Sequence, residues 1–292
     1  MTKKKLIFII NPVSGVFKKG NIVNQINSYI DTNLYDYRIE YTEGSGHATE
    51  ICNREVENGA NVIVAVGGDG SVNEIAKGLV GTETCLAIVP AGSGNGLAHH
   101  LKIPLNHRRA IEVINKFNKI KIDTGKVNDK MFVSIAGIGF DGLVAKKFAG
   151  SKWRGFLSYM RIVAENYPNY KPKKYEIEID GMKITKRALF ISFANSDQFG
   201  YMAPIAPGAR VDDGLLDVII MEKFMLIDIP ILANLLFWRK IDKSKYVEIY
   251  KGKEITVRSK KKRWVNIDGE AYKLSKELNV RVLPQSLNII VP

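Results

Sequence analysis

Three short apolar runs in the first third of the chain each end directly in a polar, glycine-rich turn. The runs occupy residues 6–10, 62–66 and 86–89, with helical patterns between them. The turns read Asn11-Pro-Val-Ser-Gly15, Gly67-Gly-Asp-Gly-Ser-Val-Asn73 and Pro90-Ala-Gly-Ser-Gly-Asn-Gly96. Short strands that alternate with helices indicate a parallel α/β sheet. We therefore expect all three turns at the carboxyl edge of one sheet.

That edge is where open α/β sheets bind ligands. Glycines let backbone N–H groups approach phosphate oxygens, and the helix predicted over 71–79 would direct its positive end toward them. One glycine-rich turn alone is more often a tight connection, but three at one edge favour a phosphate site for a nucleotide. The P-loop and Rossmann fingerprints are both absent from the sequence.

The pattern of predicted secondary structure changes after Ile122, from strands that alternate with helices to many short strands. This change predicts an α/β domain over 1–123, to which 284–292 return, and a mostly antiparallel β domain over 124–283. Two helical segments interrupt the β domain, at 151–166 and 224–238, and both mix large apolar residues with cations.

The net charge and the cysteine content indicate what kind of partner the protein binds and in which compartment it lies. The net charge of +13 predicts an anionic partner. Cys52 and Cys85 lie in apolar stretches, which is typical of buried free thiols in a reducing cytoplasm. Apolar residues 6–10 are too few for a signal peptide, and 224–238 too few to span a bilayer. We therefore expect a cytoplasmic protein.

Taken together, the motifs resemble the diacylglycerol kinase and sphingosine kinase superfamily, including its bacterial lipid kinases. The three turns match its catalytic domain in order and spacing, and later matches are Gly137-Ile-Gly-Phe-Asp141, residues 207–217 and Asp268-Gly-Glu270. The resemblance implies an NAD-kinase-like, nucleotide-binding α/β domain followed by a β-sandwich that binds lipid. It further implies an ATP-dependent kinase that phosphorylates a lipid hydroxyl.

The resemblance also assigns site residues. The positions that match ATP-binding residues of the family are Asn11, Pro12, Val13, Ser14, Gly15, Thr42, Gly67, Gly68, Asp69, Gly70, Ser71, Val72, Asn73 and Ser93. Glu270 matches the general base, while Asp69 and Asp123 match acidic residues that organise catalytic Mg²⁺. A lipid alcohol needs a nearby carboxylate as base, and the transferred phosphoryl group needs Mg²⁺, so the chemistry agrees.

Two further matches are less specific, and one position departs from the family pattern. Arg210 and Leu215, through backbone carbonyls, and Asp213, through its side chain, match a structural metal site for Mg²⁺ in bacterial members. Residues 212–214 alone are typical of an acidic turn. Asp141 matches a residue that contacts the lipid head group. Gly96 stands where many bacterial diacylglycerol kinases have a magnesium-network Asp, so this loop is closer to the sphingosine kinase form.

The partners follow from the same resemblance. Diacylglycerol is the first candidate acceptor, with a sphingoid base or phosphatidylglycerol as alternatives. The enzyme must then contact an anionic membrane surface peripherally, through one or both helical segments and nearby cations. Core helices packed on the β domain are the other interpretation of those segments. The family also implies a homodimer.

Two rival functions remain. An NAD kinase would share the Gly-Gly-Asp-Gly loop but would phosphorylate a soluble dinucleotide; the turns at 11–15 and 90–96 favour a lipid kinase. A non-catalytic module could bind nucleic acid or membrane through its positive charge. No recognised nucleic-acid motif supports that interpretation, so no nucleic-acid partner is expected.

Overall fold

The computed structural model describes residues 2–12, 20–151, 155–197 and 204–292. The chain divides into two compact units. The first unit comprises Met1–Ile122 and Gln285–Pro292, and the second comprises Asp123–Pro284.

The first unit is built on a parallel sheet with helices between its strands. Its elements are β1 (Lys4–Ile10), α1 (Gly20–Tyr29), β2 (Tyr35–Tyr41), α2 (His47–Glu57), β3 (Val62–Gly67), α3 (Asp69–Leu79), β4 (Cys85–Pro90), α4 (Gly96–His100) and α5 (His107–Lys116). The strand order is β2-β1-β3-β4, and all three pairings are parallel. Every residue of β3 and β4 is buried, as expected for strands covered on both faces.

The second unit contains most of the remaining elements. They are β5 (Lys119–Val127), which begins in the first unit, then β6 (Lys130–Phe132), β7 (Ile135–Gly139), α6 (Phe140–Ala149), α7 (Phe156–Asn166), β8 (Lys173–Ile179), β9 (Met182–Ala188), β10 (Phe190–Ala194), β11 (Leu216–Met221), α8 (Ile229–Phe237), β12 (Val247–Gly252), β13 (Glu254–Arg258), β14 (Arg263–Ile267), β15 (Glu270–Leu274) and β16 (Glu277–Ile290), whose end lies in the first unit.

Two antiparallel layers enclose the core of the second unit. One layer has the order β12-β11-β10-β7-β14-β15, and the other contains β16-β13-β8-β9. Phe193 and Val218 from the first layer share a buried cluster with Ile177 and Val257 from the second. The predicted fold class, a parallel α/β domain followed by a mostly antiparallel β-sandwich, is therefore confirmed.

The structure also tests the predictions for the cysteines, for the start of α3 and for membrane-spanning helices. Cys52 and Cys85 are buried free thiols, as predicted. Helix α3 begins at Asp69 rather than at Ser71, because the extended backbone of Gly68 ends the turn and serves as the N-cap. Among the described residues, no helix is both long enough and apolar enough to cross a bilayer.

Candidate functional site

The carboxyl ends of the four parallel strands are aligned at one edge of the first unit. Ile10 pairs with Tyr41 on one side and Val66 on the other, and Gly67 pairs with Pro90. The first polar residue after β1 is Asn11, whose side-chain Nδ2 lies 3.4 Å from Ser71 Oγ in α3. The buried Thr42 follows β2, and its N–H donates to the Ile10 carbonyl at 3.0 Å.

The second and third glycine turns contact each other through their backbones. A Cβ atom added to Gly92 would lie 2.3 Å from the Gly68 Cα, and one added to Gly68 would lie 3.0 Å from the Gly92 Cα. Only glycines allow this approach. Gly68 is also the N-cap of α3 and has no side chain to cap it. The first-turn amides, which have no partner inside an α-helix, are therefore suited to anionic oxygens.

Three polar side chains support the third turn, and only Asp69 was predicted as a site residue. Asn95, in the left-handed conformation, accepts from the Gly92 N–H at 3.0 Å and donates to its carbonyl at 2.8 Å. Asp69 Oδ1 accepts from the Gly96 N–H at 2.7 Å. His107 Nε2 lies 3.1 Å from the Pro90 carbonyl oxygen, which can only accept, so Nε2 is the donor. Burial lowers the His107 pKa.

The predicted ATP-binding residues are distributed around these turns. Val13, Ser14 and Gly15 lie outside the described residues. Ser71, Val72 and Asn73 are buried in the first turns of α3. Gly70 and Ser93 are exposed. The described members of the set therefore gather at one sheet edge, and their role in binding ATP remains a prediction.

A tight turn between β14 and β15 carries Glu270 in the second unit. Asp268 and Gly269 occupy its two positive-φ positions. The Asp268 carboxylate accepts backbone N–H groups at 2.6 Å from Val133, 3.0 Å from Ser134 and 2.9 Å from Ile135. The turn is thereby fixed to the start of β7. Glu270 follows it, half-buried, and accepts a hydrogen bond from the Tyr272 hydroxyl at Oε2.

Asp141 is connected to the same turn through Asn266. The Asn266 Nδ2 donates to both Asp141 carboxylate oxygens, at 3.0 and 3.1 Å, while its Oδ1 accepts from the Gly269 N–H at 2.9 Å. Asp141 is only 5% exposed. Burial raises the Asp141 pKa to about 7, and the Asn266 hydrogen bonds offset part of that rise. Asn266 gave no signal in the sequence, because its two partners lie on other elements.

Asp141→Asn should remove a pH-dependent loss of stability. Because the folded pKa of Asp141 lies above its usual value of 3.8, the folded chain holds this proton more tightly than the unfolded chain. Between pH of about 4 and 7, Asp141 therefore lowers the free energy of unfolding as pH rises, by up to about 1.4 kcal/mol per pH unit. Urea unfolding of parent and variant near pH 5 and near pH 8 measures this contribution.

The variant should gain stability relative to the parent as pH rises. Asp129→Asn is the matched control, since the Asp129 side chain is 70% exposed and should give the same difference at both pH values. An equal difference for Asp141→Asn at the two pH values would contradict the prediction.

Asp123 is completely buried in the second unit. Its Oδ2 accepts from the Gly214 N–H at 2.7 Å, and its own N–H donates to the Val211 carbonyl at 2.6 Å. Asn195 Nδ2 donates to both the Asp123 and Val133 carbonyls, each at 2.8 Å. Asp123 thus holds the loop at 210–215. Asn195, which the sequence analysis does not identify, connects Asp123 to Val133, whose N–H binds Asp268.

The predicted structural metal ligands lie in that loop, but cationic side chains of the chain itself already contact its acidic residues. Asp213 Oδ2 is 2.9 Å from Lys251 Nζ. The Arg210 guanidinium pairs with Asp212, its Nε lying 3.1 Å from Oδ1. Among the described residues, no three His, Cys, Asp or Glu side chains converge in a way that could hold a metal ion. Because Arg210 and Leu215 would bind the ion through backbone carbonyls, the structural Mg²⁺ site remains a prediction, while Lys251 already contacts its one side-chain ligand, Asp213.

Comparison with known families places both parts of the chain. Residues 5–127 match the family described as the diacylglycerol kinase catalytic domain. Residues 134–291, more than half of the chain, match the YegS C-terminal NAD kinase beta sandwich-like domain.

Similar proteins span nearly the same length. A diacylglycerol kinase of Bacillus subtilis (strain 168) is 28% identical over 279 residues, which cover 91% of this chain and 90% of that protein. A diacylglycerol kinase of Staphylococcus saprophyticus is 28% identical over 278 residues, which cover 92% of this chain and 89% of that protein. A crystal structure described as a diacylglycerol kinase from Bacillus anthracis str. Sterne has the same fold, with a TM-score of 0.78. It is 22% identical, and the match covers 100% of this chain and 98% of that chain. The chain therefore belongs to the diacylglycerol kinase and sphingosine kinase superfamily, as its motifs predicted, and is an ATP-dependent lipid kinase.

Proposed function

We propose that this kinase transfers the γ-phosphoryl group of ATP to the hydroxyl of diacylglycerol, with the glycine turns of the first unit holding the nucleotide. The observation that carries the nucleotide assignment is the backbone contact between Gly68 and Gly92 at the start of α3. Gly68 is also the N-cap of α3 and has no side chain to cap the helix, which favours the binding of phosphate oxygens by the first-turn amides.

Glu270 is the proposed general base. A hydroxyl attacks phosphorus efficiently only if its proton is accepted during the transfer, and a carboxylate does this when it lies within hydrogen-bond reach. The lipid oxygen then forms the new P–O bond, ADP leaves with the electrons of the broken bond, and Glu270 holds the proton. The Asp268 contacts and the Tyr272 hydrogen bond support this role, because they fix the backbone and one carboxylate oxygen of Glu270.

Mg²⁺ is the proposed second cofactor, and it would neutralise charge on the transferred phosphoryl group. Asp69 and Asp123 are the carboxylates that the family resemblance assigns to it. Asp69 accepts the Gly96 N–H, and Asp123 accepts the Gly214 N–H. An oxygen-only donor set is the kind that Mg²⁺ prefers.

The acceptor is proposed from the names of the relatives, and the direct test is a transfer assay. Labelled ATP would be incubated with the enzyme and diacylglycerol, sphinganine, ceramide or phosphatidylglycerol in mixed micelles, with NAD as a soluble acceptor. We expect label in phosphatidic acid. Label in another lipid would retain the lipid kinase assignment and replace the acceptor. Label in NAD alone would overturn the proposed function and favour the NAD kinase alternative.

A membrane-facing surface is the second part of the proposal. Helix α8 and the 3-10 turn before it form an apolar ridge at 225–238, of which Leu232 alone in α8 is fully buried. Its exposed side chains are Met225, Leu226, Ile227, Ile229, Ile231, Phe237 and Trp238. Helix α7 likewise buries only Ile162. Tyr159 and Val163 of α7 and Leu235 and Leu236 of α8 also pack on the core while partly exposed. The apolar residues of α8 that stay exposed nevertheless favour the interfacial interpretation over that of core helices.

Cations follow the apolar ridge directly. Lys240, Lys243 and Lys245 are all exposed. Exposed apolar residues with adjacent cations are typical of segments that lie in the membrane interface, and each cation near an anionic surface contributes about 1 kcal/mol. We propose a cytoplasmic enzyme that contacts anionic lipid through this ridge, and the homodimer implied by the family stays a prediction for size-exclusion chromatography.

The double substitution Ile227→Glu and Phe237→Glu should weaken vesicle binding at least tenfold. These side chains are 80% and 78% exposed, and burying such a residue in an apolar phase contributes about 1.5–3 kcal/mol. Co-sedimentation with vesicles containing phosphatidylglycerol measures the effect. Leu105→Glu, which alters an exposed leucine of the first unit, is the matched control. Unchanged binding by the double variant would rule out the ridge as the docking surface.

A further inference from the structure

The acidic loop at 210–217 leads into β11, and the register of β11 with β12 places a lysine opposite its last acidic residue. Asp217 is paired directly with Lys251 in this antiparallel ladder. Side chains at paired positions lie on the same face of a sheet and contact each other. Lys251 is therefore directed by the sheet itself toward the Asp217 side of the loop.

Three oxygen atoms of residues 208–217 surround the Lys251 ammonium group. Its Nζ lies 2.9 Å from Asp213 Oδ2, 3.3 Å from the Gly208 carbonyl oxygen and 3.6 Å from Asp217 Oδ2. An ammonium group has three N–H donors, and the first two distances are hydrogen bonds. The Asp217 side chain is only 4% exposed, so its charge has little access to solvent.

Other carboxylate oxygens at this loop also have partners within the chain. Asp213 Oδ1 accepts from the Leu215 N–H at 3.1 Å, so both oxygens of this carboxylate have partners. Asp212 is bound by Arg210 through two nitrogen–oxygen contacts, at 3.1 and 3.3 Å. Asp123 accepts from the Gly214 N–H on the inner side of the loop.

We propose that the Lys251 ammonium is the built-in cation of this loop, in place of the structural divalent ion that the family resemblance implies at Arg210, Asp213 and Leu215. A bound Mg²⁺ would have to approach Asp213 to about 2.0–2.1 Å, beside an ammonium that already contacts the same carboxylate. Mg²⁺ and the Lys251 ammonium would then repel each other, because both are positively charged and both would contact one carboxylate. A tethered cation also makes the fold of the loop independent of the metal supply.

The first test uses the unaltered enzyme. Thermal unfolding without nucleotide should give the same melting temperature in EDTA and in Mg²⁺, because the loop carries its own cation. A rise in melting temperature with Mg²⁺ that Asp213→Asn abolishes would overturn the proposal, since it would locate a stabilising metal at this loop. The measurement does not depend on which lipid the enzyme phosphorylates.

The second test converts the loop into a metal site. Lys251→Met keeps the aliphatic stem and removes the charge, which leaves Asp213 and Asp217 uncompensated. We expect a lower melting temperature in EDTA, its recovery in Mg²⁺, and one more bound Mn²⁺ per chain than in the parent by electron paramagnetic resonance. Adding Asp213→Asn should remove the extra ion, and Lys253→Met is the control at an exposed neighbouring lysine. Equal Mn²⁺ binding by parent and Lys251→Met would contradict the proposal. The EDTA comparison of the parent decides the question even if the variant does not fold.

Discussion

Glu270→Gln should abolish phosphoryl transfer to the lipid while leaving ATP binding close to that of the parent enzyme. The amide keeps the size of the side chain and can still contact the Tyr272 hydroxyl, but it cannot accept the proton of the attacking alcohol. Loss of a general base typically lowers the rate by roughly 10²–10⁴-fold. Because Glu270 lies in the second unit and the proposed nucleotide residues in the first, the loss should appear in kcat.

The experiment compares kcat and the ATP dissociation constant for several variants. Glu254→Gln is the control, because Glu254 is an exposed glutamate of the same unit and should behave like the parent. Glu270→Asp keeps the carboxylate but shortens the side chain, so it should retain part of the activity. Near-normal turnover by Glu270→Gln would exclude Glu270 as the base and leave the kinase assignment standing.

Gly92→Ala should disrupt the glycine-rich turns of the first unit that we propose to bind the nucleotide. The new Cβ would lie 2.3 Å from the Gly68 Cα and 2.9 Å from Asn95 Oδ1. The Gly68 atom is backbone and cannot rotate away, so the two turns must separate. Overpacking of this kind usually costs about 1–3 kcal/mol, and the moved turn carries the amides proposed to bind ATP. We expect a lower melting temperature and at least a tenfold loss of ATP affinity.

Gly44→Ala provides the matched control for this substitution. Gly44 precedes α2 in the same unit, is exposed, and has no atom within 4 Å of an added Cβ. It should therefore leave both melting temperature and ATP affinity unchanged. If Gly92→Ala bound ATP as well as Gly44→Ala does, the contact between the two turns would not be needed for nucleotide binding.

Much of the fold could be predicted from the sequence because its signals are local. Apolar runs such as 62–66 and 86–89, with no polar alternation, predict buried parallel strands, and β3 and β4 are buried throughout. The glycine-rich turns follow those strands in the chain, so their meeting at one sheet edge follows from parallel pairing alone. The sequence does not indicate the start of helix α6, because its N-cap is Gly139, at φ 90°, which carries no capping side chain and lies within the motif Gly137-Ile-Gly-Phe-Asp141.

The remaining features depend on contacts between residues far apart in the chain. Asn266 reaches Asp141, and Lys251 reaches Asp213, only because particular strands are neighbours in a particular register. A shift of one residue in register would turn these side chains to the opposite face, and no local pattern specifies that register. The amphipathic segment at 224–238 likewise fitted both a core helix and a surface helix, since the same side chains suit either. The sequence by itself thus determined the strands, the turns and the family, whereas the packing of whole sheets decided which charges meet and which apolar residues stay exposed.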